Sequence, residues 1–144
     1  MAAPPQTFEN HAKVVPAYHY FTFLLVVIYW VYEASVLITA PTWPAAIGVV
    51  AATALLMVFF WARVFALKVQ DRVIRLEMQL RLLQLAPELS SRFGEFTLNQ
   101  LCSLRFASDA ELPELARTVL TDRLDDRKTI KKRIRDWQAD HLRA

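Results

Sequence analysis

The sequence predicts an all-α membrane protein: a transmembrane helical hairpin whose second span continues into an amphipathic helix, followed by a small helical C-terminal module. Three observations predict it. Two apolar runs, residues 18–39 and 45–67, each reach the roughly 20 residues needed to cross a hydrocarbon core of about 30 Å. Only Ala40-Pro41-Thr42-Trp43-Pro44 separates them, a connection too short for anything but a hairpin. Charge is segregated as well: residues 18–67 carry only Glu33 and Arg63, and most other charges follow residue 67. The 55% hydrophobic share, above the usual globular range, is therefore concentrated in one half of the 144 residues.

The predicted boundaries are an N-terminal segment over 1–17, the hairpin over 18–67, an extension over 68–86 and a module over 87–144. In the first span only Thr22, Glu33 and Ser35 interrupt the apolar run. Its length exceeds the h-region of a signal peptide, it contains an acid, and proline follows Ala40, all of which argue against cleavage there. Pro41 and Pro44 stop one helix and admit the next. Trp43 at the turn and Tyr18 and Tyr20 at the other end suit the membrane interfaces. The turn has no lysine or arginine, whereas Lys13 precedes the first span and Arg63, Lys68, Arg72, Arg75 and Arg81 follow or end the second. Both termini are therefore expected on the cytoplasmic side.

Glu33 is the chemical anomaly of the hairpin. A carboxylate in hydrocarbon costs about 2.5 kcal/mol or more, so it is expected to be neutral, paired, snorkelling or facing a partner. A hairpin centred on residues 42–43 sets it opposite Ala52 and Thr53, with Thr53 as a hydrogen-bond partner. Arg63 lies roughly 15 Å further along at 1.5 Å per residue, out of reach. A structural or assembly role is expected ahead of a proton-carrying one. Ala45, Gly48 and Ala52 share one small-residue face that admits close helix approach, on the first span of the same chain or on a partner.

No breaker separates Leu67 from Pro87, so the second span is expected to run on to about Ala86. Val69, Val73, Leu76, Leu80 and Leu83 repeat at four and three, a short heptad seam. Ile74, Met78, Leu82 and Leu85 form an adjacent strip. So wide a stripe is expected to pack on other helices of its own chain, with a dimeric coiled coil as the alternative. Beyond the break at 87–94, Thr97 is expected to cap a helix over 98–106. Ser108 and Glu111 have capping-box spacing for a helix over 109–124, in which Pro113 argues for a later start. Asp125 or Asp126 is expected to cap a last helix over 127–139. Arg63, Lys68, Arg72, Arg75, Lys131, Lys132 and Arg135 are candidates for anionic lipid headgroups, at about 1 kcal/mol each.

Several function classes find no support. The net charge is only +3, and the basic last helix lacks the Asn or Gln of base readers, so nucleic acid is not an expected partner. A single cysteine excludes an internal disulfide framework. Nucleophile, metal-helix and phosphate-loop motifs are missing from the sequence, and no cofactor is expected. His11 and His19 fall near an interface and are poorly placed to grip a haem between spans.

The ends carry the most distinctive residues: Gln6-Thr-Phe-Glu-Asn10-His11 with Pro16 and Tyr18-His19-Tyr20-Phe21, then Leu104-Arg105-Phe106-Ala107-Ser108-Asp109 with Leu112-Pro113, and Ile130-Lys131-Lys132 with Ile134, Trp137 and Asp140. In these the chain resembles an uncharacterised family of small bacterial two-span membrane proteins, catalogued as a domain of unknown function. The resemblance implies a bacterial source and a two-span design, and no activity. It directs attention to Asn10, His11 and His19; the Asn10-His11 pair is expected to cap the first span or meet the module, and His19 to hydrogen-bond at the interface. The expected function is non-enzymatic: an accessory or scaffold subunit of a bacterial inner-membrane complex, contacting lipid and other subunits. The alternatives are a self-associating anchor or sensor, and a redox subunit holding a haem or pigment.

Overall fold

The computed structural model describes residues 6–10 and 14–140. The described chain is helical, with two compact units: Lys13–Leu67, and a second joining Met1–Ala12 to Lys68–Ala144. A π-helical turn, Ala17–Thr22, leads into α1, Phe23–Thr39. α2 is a continuous helix, Trp43–Leu85. After it come a 3-10 segment, Pro87–Glu95, and three short helices: α3, Leu98–Leu104, α4, Leu112–Thr121, and α5, Arg127–Lys132.

The helices Ala17–Thr39 and Trp43–Leu85 are long and apolar enough to cross a membrane. Among the described residues of the Lys13–Leu67 unit, the buried ones are small or branched: Val26, Ala45 and Ala52. Phe21, Leu24, Ile28, Ile47, Val58 and Phe65 are all more than half exposed. Thr42 starts α2, with the Ala46 N–H bonded to its carbonyl at 3.0 Å. Trp43 stands outward at the turn, 82% exposed.

The second unit has the hydrophobic core. Ile74, Met78 and Leu82, at spacing four, present one face of α2 to Leu101, Leu104, Leu112, Ala116, Val119 and Ile130. No glycine or proline follows Gly48 before Pro87, so α2 runs unbroken to this core. The 3-10 segment follows because Pro87 cannot continue an α-helix, and Leu89 and Phe96 pin it to the core. Thr97 and Gln100 form a full capping box at α3: Gln100 N–H to Thr97 Oγ1 at 3.2 Å, and Thr97 N–H to Gln100 Oε1 at 2.8 Å. Asp126 caps α5 by accepting from the Thr129 N–H at 2.7 Å.

Three expectations are corrected here. Ser108 and Glu111 form no capping box. α4 begins at Leu112, with Pro113 in its first turn, and the Glu111 carboxylate instead accepts the backbone N–H groups of Arg135 and Asp136 at 3.0 Å each. The last helix stops at Lys132 and not at 139, because the following backbone finds better partners. Gln138 N–H bonds the Phe106 carbonyl at 2.7 Å, Ser108 N–H bonds the Asp136 carbonyl at 3.1 Å, and Ala107 pairs with Trp137 as an isolated antiparallel bridge. The wide stripe of α2 splits: Ile74, Met78 and Leu82 are buried, whereas Val69, Val73, Leu76, Leu80 and Leu83 are 65, 47, 55, 63 and 49% exposed. The module covers only the face that its own side chains can reach.

Candidate functional site

Three places in the molecule concentrate unusual chemistry. The first is Glu33 in the hairpin. Its carboxylate lies against Gly48: a Cβ at that glycine meets Glu33 Cδ at 2.9 Å and one carboxylate oxygen closer still. A side chain at 48 would therefore have to push the Glu33 carboxylate aside. Tyr29 lies one turn earlier on α1, close to the same carboxylate. Thr53 does not pair with Glu33. It accepts a hydrogen bond from Trp30 Nε1 at 3.0 Å and donates to the Val49 carbonyl at 2.8 Å. The register is thus one helical turn off the one expected: Glu33 meets Gly48 in place of Ala52, and Ala52 is fully buried. The reason is that Trp43 and Pro44 already belong to α2, so the hairpin bends before them. At the open end of the hairpin, Tyr18 stacks on Phe59 at 4.3 Å and donates to its carbonyl at 2.6 Å. Arg63 is half-buried and lies 15 residues beyond Gly48, about 22 Å along the helix.

The second place is a lock between the chain's ends within the Lys68–Ala144 unit. Arg81 donates to Asp109 Oδ1 at 2.7 Å, to the carbonyls of Arg105 and Ala107 at 3.2 and 2.6 Å, and to Gln138 Oε1 at 2.7 Å. Phe106 is fully buried, stacks on Trp137 at 4.6 Å, and carries the Arg105 guanidinium 4.5 Å and the Lys131 ammonium 5.1 Å from its ring centre. Arg105 also pairs with Asp140 at 3.0 Å. Gln6 then clasps the Asp140 backbone with both ends of its amide, accepting from its N–H at 2.8 Å and donating to its carbonyl at 3.3 Å. The distinctive residues at the two ends of the sequence thus meet each other. Sequence reasoning used Arg81 only as one of the basic residues after the second span and gave Gln6 and Trp30 no role. Arg81 was legible: it lies seven residues, two turns, after the buried Ile74, on the core-facing side of α2.

Asn10 closes a local turn by accepting the Thr7 N–H at 2.6 Å. His19 bonds the Val15 backbone N–H at 3.1 Å through Nδ1, at the entrance to the first helix. His11 lies outside the described residues. Cys102 is buried, with Sγ 3.7 Å from Asp71 Oδ1; burial first, then the Asp71 charge, pushes its thiol pKa up. Such a thiol is a poor nucleophile. Among the described residues no group of three or more His, Cys, Asp or Glu is arranged to hold a metal. A groove of about 660 Å³ beside α4 mixes Glu111, Glu114 and Asp136 with Lys132, Arg133 and Arg135, with no single sign of charge to select a ligand.

The third place is the outward face of α2. The seam Val69, Val73, Leu76, Leu80 and Leu83 runs as one apolar band. Lys68, Arg72 and Arg75 line one flank of it and are exposed, as are Lys132 and Arg135 in the module. Lys131 is half-buried over Phe106. Five aliphatic side chains are thus held open to solvent along one face of the helix. No curated protein and no solved structure matches the chain. The model of a protein family described as of unknown function, DUF6526, matches residues 1–144.

Proposed function

The chain belongs to DUF6526, a family of unknown function, and on that premise we propose that it is a non-enzymatic integral membrane protein acting as an accessory or scaffold subunit of a complex in the bacterial inner membrane. The observation that carries this reading is the exposed band on α2, directly opposite the face by which the same helix packs into its module. A helix that is apolar on two opposite faces has one partner in its own chain and room for another. The outward apolar surface of the Lys13–Leu67 unit supports insertion as a hairpin. The Gln6–Asp140 clasp supports two crossings, since an even number leaves both ends on one side. Lysine and arginine near the span ends favour the cytoplasmic side. Exposed Lys68, Arg72 and Arg75 then suit anionic headgroups where the helix leaves the bilayer.

The test is native mass spectrometry with an absorbance spectrum on tagged protein extracted from its own membranes in mild detergent. Stoichiometric additional subunits, or a defined oligomer, are expected from a colourless sample. A visible absorbance band, or a bare monomer, would overturn the reading.

A further inference from the structure

We propose that the exposed seam of α2 is the contact surface for a second copy of this chain, joined as a parallel two-stranded coiled coil. The inference rests on the reading above that the protein works by assembly, and it names the partner. The four-three spacing sets Val73 and Leu80 at the a positions of a heptad and Val69, Leu76 and Leu83 at d. Val73 at a followed by Leu76 at d is the β-branched and leucine pairing that favours two parallel strands, while Leu80 at a and Val69 at d are neutral to it, so the choice of orientation falls to the flanks. The flanks choose parallel strands through charge. Arg72 and Gln79 take the g positions, and Gln70, Glu77 and Gln84 take e.

In a parallel pair, a g residue meets the e residue five positions on in the other strand. That brings Arg72 against Glu77 of the second copy, twice by symmetry. An antiparallel pair sets g against g and e against e, and forms no opposite-charge contact. Arg72 and Glu77 are both exposed, and neither has an ion-pair partner among the described residues of its own chain. They cannot pair along one helix either, because side chains five apart point about 140° from each other at 3.6 residues per turn. The seam, residues 69–83, spans little more than two heptads, short for a coiled coil in free solution. Membrane insertion offsets this: it holds two copies the same way up and raises their effective concentration.

The test uses the full chain in its own membranes with Cys102→Ala as background. Leu76→Cys sits at d in the seam, and Lys68→Cys sits outside it as control. Mild oxidation is expected to yield many-fold more disulfide-linked dimer from Leu76→Cys than from Lys68→Cys. Arg72→Glu and Glu77→Arg should each lower that yield several-fold, and the double exchange should restore it. The native mass of the chain with both charges exchanged, but Cys102 intact, checks the same point without altering the core. Equal yields at the two cysteines, or no restoration in the double exchange, would overturn the proposal. Monomers carrying other subunits that are lost in Leu76→Glu would overturn the second copy as partner and leave the assembly reading standing. Bare monomers would overturn both.

Discussion

Glycine at position 48 is decided by a side chain on another helix. Any Cβ there meets the Glu33 carboxylate, so Gly48→Val should open the hairpin at a cost of about 1–3 kcal/mol, the usual penalty of overpacking. Adding Glu33→Ala should recover most of it, and thermal unfolding of the four proteins in detergent measures the coupling. Independent losses in the double variant would show that the two residues do not touch. Arg81 makes the complementary case. Its four acceptors come from two separate segments, residues 105–109 and Gln138, and two are backbone carbonyls inside the module. Arg81→Ala should cost about 2–3 kcal/mol, mostly from those two stranded carbonyls and little from the exposed Asp109. Trp137 fluorescence in a denaturant titration reads this directly.

Elements in the module owe their ends to capping, and capping can be tested. Thr97→Ala and Gln100→Ala remove the two halves of one box at α3, each costing about 1 kcal/mol. Because the halves act together, the double variant should lose less than the sum in a denaturation series. Acid should weaken the same unit. The hydrogen bond from Arg117 holds the Glu88 carboxyl below its ordinary value, that from Arg92 does so for Glu95, and Thr129 does so for Asp126. A carboxyl depressed in the folded state contributes stability above its unfolded value, about pH 4, and loses it as pH falls through the folded value. The denaturation midpoint should therefore drop below about pH 4, and less steeply in Asp126→Asn. An unchanged slope would mean that this cap carries none of the acid sensitivity.

At the scale of the whole molecule, the joining of distant ends matters most. Gln6 and Asp140 are 134 residues apart in sequence and share two hydrogen bonds. Gln6→Ala should speed amide hydrogen exchange at Asp140 while leaving the native mass unchanged, because the clasp lies away from the seam of α2. Tags at the two ends should become protease-sensitive from the same face of sealed vesicles. Accessibility from opposite faces would contradict a two-span hairpin.

Much of this was legible in the sequence, and the reason is physical. Helix-forming apolar runs without breakers, the proline turn and the Thr97 and Asp126 caps are local, and local signals need only neighbouring residues to be read. The helix through Leu85, the break at Pro87 and the small-residue contact of the hairpin all follow from them. Tertiary structure alone decided which of two opposite apolar strips on α2 would be covered, since both have helical period and only the docking of α3, α4 and α5 distinguishes Ile74, Met78 and Leu82 from the seam. It also decided that Glu111 abandons Ser108 for the backbone after α5, that α5 ends at Lys132, and that Glu33 rests on Gly48. Each of these is a competition between a local partner and a distant one. Its outcome depends on where the distant partner comes to lie, which no stretch of sequence contains by itself.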